Sequence, residues 1–215
     1  MENTQHYIPA LGFHWLTPLY DPLIHRFMRE DILRGRLILE TDILPGMRVL
    51  DLGCGTGSLT ILIKQSHLMS HVYGLDADPQ VLEIARSKAD QAGAKITLEQ
   101  GMAYRLPFPD GWFDRVLTSL MLHHLTTDQK QQAMSEVYRV LQPGGKFAVL
   151  DFGVPHSAYA QLTAQVIRRT EQAGDNIRGL LPEMMKKAGF KNVSEIDSFG
   201  TFFGSLSLFR ADKLV

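Results

Sequence analysis

Short runs of aliphatic and β-branched residues alternate along this chain with stretches whose apolar positions recur every three or four residues. That alternation predicts a parallel sheet covered by helices on both faces. Residues 47–51 read as a buried first strand. Residues 58–65, with Leu59, Leu62 and Ile63 at helical spacing, read as the helix that follows. His71–Asp76 reads as a second strand. Pro79 then opens a helix with Leu82, Ala85 and Ala89 on one face and Gly93 at its end. Residues 95–100 and 112–118 give the third and fourth strands. Thr126 and Gln129 stand at capping-box spacing before a helix with the apolar stripe Met134, Val137, Tyr138 and Leu141. Pro143-Gly144-Gly145 is expected to stop that helix, and residues 146–151 to form the fifth strand. A helical insertion over about 158–173, a short helix over 182–188, and strands over 192–198 and 204–209 complete the pattern. Phe199, Phe202, Phe203 and Phe209 are expected to close the core there. Ahead of the first strand, Asp21-Pro22 caps an expected helix carrying Leu23, Ile24, Phe27 and Met28.

Composition narrows the class of protein. With 215 residues, 45% hydrophobic and 21% charged, the chain has the makeup of one globular unit with a sizeable core. Lys+Arg 22 against Asp+Glu 23 leaves a net charge of -1, which argues against a broad electrostatic grip on nucleic acid or anionic membrane. A single cysteine forms no internal disulfide and points to a reducing compartment. Met1–Ala10 lacks the basic start and apolar run of a signal peptide, and no apolar stretch reaches the roughly 18 residues of a membrane span. The expectation is a cytoplasmic protein without integral membrane association.

The strongest chemical signal is Asp51-Leu52-Gly53-Cys54-Gly55-Thr56-Gly57 between a strand and a helix. Glycines there let the backbone turn sharply and approach a ligand with no side chain between; a plain strand-to-helix turn would also use them. Ser58 follows Gly57, so the Gly-x-Gly-x-x-Gly dinucleotide fingerprint is not met. Asp51 places a carboxylate at the mouth, where a diphosphate is repelled and an ammonium welcomed. Asp76 ends the second strand, where a doubly wound fold puts an acid for ribose hydroxyls. A strand-end or capping role is the alternative for Asp76, with Asp78 the better cap.

Five ordered segments carry a family resemblance: residues 49–57, the acid Asp76, residues 106–114, Leu122-His123-His124, and residues 139–146. Together they resemble the class I S-adenosylmethionine-dependent methyltransferases, in particular the branch of the ubiquinone/menaquinone-biosynthesis C-methyltransferases. The resemblance implies a Rossmann-like α/β fold: a doubly wound, mostly parallel seven-stranded sheet in the order 3-2-1-4-5-7-6, its last strand antiparallel. It implies S-adenosylmethionine as cofactor, leaving as S-adenosylhomocysteine. Asp51 with Gly53, Cys54, Gly55 and Gly57 would surround the methionine end, Asp76 take the ribose hydroxyls and Ala77 lie against the adenine. Gly101-Met102-Ala103 stands where the family usually shows Gly-Asp-Ala. Met102 cannot replace that Asp as a strong acceptor for the adenine amino group, though its thioether can pack on a ring. Ser119 and Leu120 would line the sulfonium side, and Tyr20-Asp21 resembles the pair placed over the methionine carboxylate.

His123 and His124 lie where the methyl group should emerge, so either could act as general base or substrate anchor; for His124 packing beneath the next helix is the reading preferred. His14 and His156 could also face the cleft, and no pair has the spacing of a helical metal motif. Arg168-Arg169 and Lys186-Lys187 read as solvated helix faces, and Cys54 as a packing residue. The catalytic candidates are thus His123 and His14. Residues 1–40 are expected to form an N-terminal helical lid and 41–215 the methyltransferase domain, acting as monomer or homodimer on a small-molecule or lipid-like acceptor. A non-catalytic binding module and a nicotinamide-dependent oxidoreductase are the competing readings.

Overall fold

The computed structural model describes residues 30–156, 160–161, 172–201 and 204–215. The expected helix over 23–28, most of the insertion with Arg168 and Arg169, and Phe202 and Phe203 lie outside the described residues, as do the site candidates His14 and Tyr20.

Helix α1 (Glu30–Leu39) precedes β1 (Arg48–Leu52), whose inner residues form a fully buried run, as a strand covered on both faces requires. There follow α2 (Ser58–Ser66), β2 (His71–Asp76), α3 (Pro79–Gln91), β3 (Thr97–Gln100) and β4 (Phe113–Ser119). A 3₁₀ turn (Leu122–His124) leads to α4 (Thr127–Val140), β5 (Leu141–Phe152), α5 (Gly174–Ile177), α6 (Leu181–Lys187), β6 (Lys191–Thr201) and β7 (Gly204–Asp212). The capping box is made: the Thr126 hydroxyl accepts from the Gln129 N–H at 3.3 Å, and the Gln129 side chain accepts from the Thr126 N–H at 3.1 Å. Asp78, not Asp76, caps α3 by accepting from the Gln80 N–H at 2.8 Å.

The sheet has the order β3-β2-β1-β4-β5-β7-β6. The pairs among β1 to β5 are parallel, and β7 runs antiparallel to both β5 and β6. On one face Leu33 and Leu37 of α1 and Leu59 and Ile63 of α2 pack on Val49, Leu117 and Leu150. On the other, Met134 and Val137 of α4 and Met185 of α6 pack on Leu50, Phe147 and Phe209. Phe209 therefore does close the core, while Phe199 packs at its edge. Chain order reverses between β1 and β4, so a crevice opens beyond the strands' C-terminal ends at that point.

One boundary departs from the sequence pattern. Helix α4 stops at Val140, and β5 already begins at Leu141, which pairs with Phe113; the next partners are Arg115 and Lys146. Residues 142–145 thus stand opposite Asp114 alone, an excess of three, and Gly144 at φ +80° absorbs the turn. The Pro-Gly-Gly segment is thus an irregularity inside the strand, not the helix stop.

Arg139 ties residues 106–110 to α4. Its guanidinium donates to the Leu106 and Phe108 carbonyls at 3.1 and 2.8 Å, to Asp110 at 2.7 Å and to Glu136 at 2.8 and 2.9 Å. These partners, Glu136 foremost, hold its pKa above the ordinary arginine value. Arg139→Leu is expected to destabilise by roughly 2 kcal/mol and lower the melting temperature by about 6 °C in a thermal scan. An unchanged melt would show the clamp to be idle.

Candidate active site

The bend after β1 is tied to the end of β2 by backbone bonds: the Gly53 and Cys54 N–H groups donate to the Leu75 carbonyl at 2.8 and 3.0 Å. Two glycines are sterically required. Gly53 has φ +72°, and a Cβ there would collide with the Met121 side chain; Gly57 has φ +78°, and its Cβ would lie 2.9 Å from that of Ala85 on α3. Gly55, at φ +52°, differs: a Cβ there would meet nothing within 4 Å among the described residues. The bend thus offers bare backbone to the crevice at Gly55.

Asp76 meets the bend from β2. One carboxylate oxygen accepts from the Gly55 N–H at 2.8 Å, the other from the Asp78 N–H at 3.0 Å. Each oxygen retains a lone pair. Burial raises its pKa above the ordinary carboxyl value, and the two N–H donors restrain that rise. Ala77, next along, is held by its carbonyl, which accepts from the Gln100 amide at 3.2 Å. Met102 pairs in a short bridge with Arg105 and is half-buried, while Ala103 is buried.

Asp51 lies under the bend. It is 1% exposed and accepts from the Thr60 hydroxyl of α2 at 2.6 Å. Burial pushes its pKa up to about 6; the Thr60 bond and the Arg34 charge oppose that rise, while the Asp76 charge adds to it. Cys54 is buried, its thiol raised well above the ordinary value by burial and the two nearby acids, which suits packing and not nucleophilic chemistry.

The segment after β4 forms the other wall. The Thr118 hydroxyl donates to the Leu52 carbonyl at 2.8 Å, binding β4 to the start of the bend. Ser119 and Leu120 are half-buried there. Leu120 sits at φ +54°, a left-handed conformation costly for a side chain branched beyond Cβ, held while its N–H donates to the Leu150 carbonyl at 2.8 Å.

Of the histidine pair, His123 is the buried member and His124 the half-buried one, the reverse of the packing preference read from sequence. The 3₁₀ turn rotates His123 inward onto Asp151 at the end of β5, with Nδ1 at 2.8 Å from Oδ1. Asp151 also accepts from the Leu122 N–H at 2.8 Å and the Phe152 N–H at 2.7 Å. Burial would raise its pKa, but His123 and the N–H donors outweigh that and leave it below the ordinary value. A carboxylate accepting at Nδ1 leaves Nε2 as the basic nitrogen when the ring is neutral. Asp151 is the functional candidate that sequence reasoning missed; its signal was an acid at the C-terminal end of a strand beside β4. His156 is exposed, its N–H 3.4 Å from the Ser205 hydroxyl. Among the described residues no group of three or more His, Cys, Asp or Glu is placed to hold a metal, and no helix is long and apolar enough to cross a membrane.

A doubly wound sheet in this strand order, with a glycine bend and a strand-end acid bonded across its switch point, defines a nucleoside-binding fold of the methyltransferase type. A family model described as a methyltransferase domain matches residues 49–145. The methyltransferase sll0829 of Synechocystis sp. is 39% identical over 176 residues, which cover 80% of this chain and 79% of that protein. The ubiquinone/menaquinone biosynthesis C-methyltransferase UbiE of Vibrio vulnificus is 33% identical over 195 residues, 79% of this chain and 72% of that one. The crystal structure of a SAM-dependent methyltransferase from Aquifex aeolicus shares the fold at TM-score 0.67 and 19% identity, covering 93% of this chain and 97% of that chain. The chain belongs to the class I S-adenosylmethionine-dependent methyltransferases, and within them it resembles the ubiquinone/menaquinone C-methyltransferase branch. It is an enzyme, and S-adenosylmethionine is its cofactor.

Proposed function

We propose that the crevice beyond β1, β2 and β4 binds S-adenosylmethionine and directs its methyl group to a hydroxylated small molecule, with His123 as general base. The observation that carries this reading is the Gly55–Asp76 bond of 2.8 Å beside a Gly55 whose Cα faces open space. It sets bare backbone and a hydrogen-bonded carboxylate side by side, as an amino-acid-bearing nucleoside requires. The residues fit the cofactor chemically: a buried carboxylate raised by desolvation gains from a cation, and the methionine ammonium supplies one.

Asp51, with Gly53, Cys54, Gly55 and Gly57, surrounds the amino-acid end in this reading. Asp76 accepts from the ribose hydroxyls, Ala77, Met102 and Ala103 flank the adenine, and Ser119 and Leu120 face the sulfonium. Tyr20 and His14 keep their proposed places over the methionine carboxylate and in the cleft; of the 1–40 segment only the part ahead of α1 keeps its place as a lid, because α1 packs into the core through Leu33 and Leu37. Bound there, the cofactor would supply an electrophilic methyl group for the acceptor and would leave as S-adenosylhomocysteine. His123 takes the acceptor's hydroxyl proton at Nε2 and passes it to solvent, while Asp151 holds the ring. The wall around Leu120 and Met121 keeps water from the line of transfer. Reduced quinones are the first acceptors to try, because the UbiE relative is named for that pathway. In this reading the protein works in the cytoplasm as monomer or homodimer and without a nucleic-acid partner; a single cysteine supports the first and a net charge of -1 the last.

Asp76→Ala is expected to weaken S-adenosylmethionine binding by about 1–3 kcal/mol, roughly ten- to a hundredfold by calorimetric titration. Affinity equal to wild type would remove Asp76 from the ribose.

A further inference from the structure

The ends of β2 and β3 leave a hydrogen-bonding gap on the adenine side of the crevice. Ala77, Met102 and Ala103, the residues that the proposed reading sets there, carry no side-chain oxygen or nitrogen, and the thioether of Met102 accepts only weakly. Met102 is moreover held in its bridge to Arg105, whose N–H donates to the Met102 carbonyl at 3.0 Å. An exocyclic amino group brought out of water to this place needs an acceptor, because without one it loses a hydrogen bond on binding.

Gln100 has one to offer. It stands opposite Asp76 in the parallel β2–β3 register, at the C-terminal ends of both strands, and residues opposed in this way share one face of a sheet. Just beyond, the Gly101 N–H donates to the Asp76 carbonyl at 2.9 Å and fixes the two ends together. The Gln100 side chain turns toward β2, where its Nε2 donates to the Ala77 carbonyl at 3.2 Å. A carbonyl only accepts, so the amide must present its nitrogen there. The amide oxygen, carried on the same carbon, stays beside Ala77, and no described residue donates to it. Gln100 is exposed, so that oxygen is open to a ligand.

We propose that Gln100 is the purine-selective residue of the cofactor site: its amide oxygen accepts from the adenine amino group, and its bond to Ala77 fixes which way the amide faces. This rests on the proposed placement of Ala77 against the adenine. Nε2 has a second hydrogen, so the amide can meet the amino group and a neighbouring ring nitrogen at once, the pairing by which glutamine reads adenine in a DNA groove. A purine with an oxygen in place of the amino group needs the amide reversed. Reversal sets the amide oxygen against the Ala77 oxygen, two acceptors with no proton between them, and such a purine is rejected. Without that anchor the amide would turn over and take either purine.

Calorimetric titration of the full chain with S-adenosylhomocysteine and with S-inosylhomocysteine, which carries the oxygen, tests the assignment. Wild type is expected to bind the adenosyl compound about 20-fold more tightly, and Gln100→Met to bring that ratio below about 3-fold. Asp76→Ala should weaken both compounds alike and keep the ratio, because the ribose is common to them. A Gln100→Met variant that keeps the wild-type ratio overturns the assignment, whether its two affinities are unchanged or equally weakened; equal weakening is the mark of a residue that only holds Ala77 in place. A wild type indifferent to the two purines overturns it as well. If wild type binds neither compound, the crevice loses its reading as the cofactor site and the assignment falls with it.

Discussion

Asp51→Asn is expected to stabilise the cofactor-free protein and cripple cofactor binding. In the folded chain Asp51 keeps its proton up to about pH 6, whereas in the unfolded chain it loses it near 3.8. Between those values the folded state binds the extra proton, so stability falls as pH rises. Above pH 6 the deficit is complete, roughly 3 kcal/mol for a shift of this size. An amide removes the buried charge and keeps an oxygen for the Thr60 hydroxyl. The melting temperature at pH 7 should therefore rise, by about 4 °C after allowing for the lost attraction to Arg34.

Binding goes the other way. The ammonium of the cofactor loses a buried carboxylate, and affinity at pH 7.5 should drop about 100-fold. The wild type should also bind more weakly as pH falls below about 6, approaching tenfold per unit, because the proton on Asp51 must leave first. The variant should show no such slope. Calorimetry across pH 5 to 8 with a melt at each pH reads both effects; a variant that binds normally, or a wild type flat through pH 6, would take Asp51 out of the cofactor site.

The sequence carried the cofactor side of this site far better than the acceptor side, for a physical reason. Buried strands and glycine bends declare themselves locally, so β2 was readable at its observed limits and Gly53 to Gly57 as a bend. Asp76 lies 21 residues from Gly55, yet the doubly wound pattern itself places a β2-end acid opposite that bend. His123 and Asp151 are 28 residues apart and meet only because β4 and β5 are neighbours and a 3₁₀ turn rotates the ring inward. Nothing near His123 distinguishes it from His124. The end of α4 was misplaced for the same kind of reason. Pro143-Gly144-Gly145 is a local stop signal, but pairing of Leu141 with Phe113 ends the helix earlier.

Asp151→Asn should damage both fold and chemistry, and the two losses are separable. Three donors converge on the carboxylate, so an amide must turn its N–H₂ toward at least one of them. One buried N–H then goes unpaired, at a cost of about 2–3 kcal/mol, seen as a fall of roughly 6–10 °C in the melt at pH 7. The pH dependence has the opposite sense to that of Asp51. A depressed folded pKa means the contribution of Asp151 is full above the ordinary carboxyl value and is lost as pH falls through the lowered one. The two contributions therefore oppose each other, the Asp51 limb descending from about pH 4 to pH 6 and the Asp151 limb descending below the ordinary carboxyl value. Asp51→Asn flattens the first limb and Asp151→Asn shallows the second. For catalysis, an amide no longer fixes the His123 ring with Nε2 basic, and transfer to a hydroxylated acceptor should fall about 10²–10³-fold. Cofactor affinity should stay near wild type, because the proposed reading puts Asp151 on the acceptor side of the crevice. His123→Gln should cost about as much, and the double variant no more than either, as for groups acting as a unit. Turnover in Asp151→Asn within about threefold of wild type, measured at 20 °C where the variant remains folded, would leave His123 a packing residue.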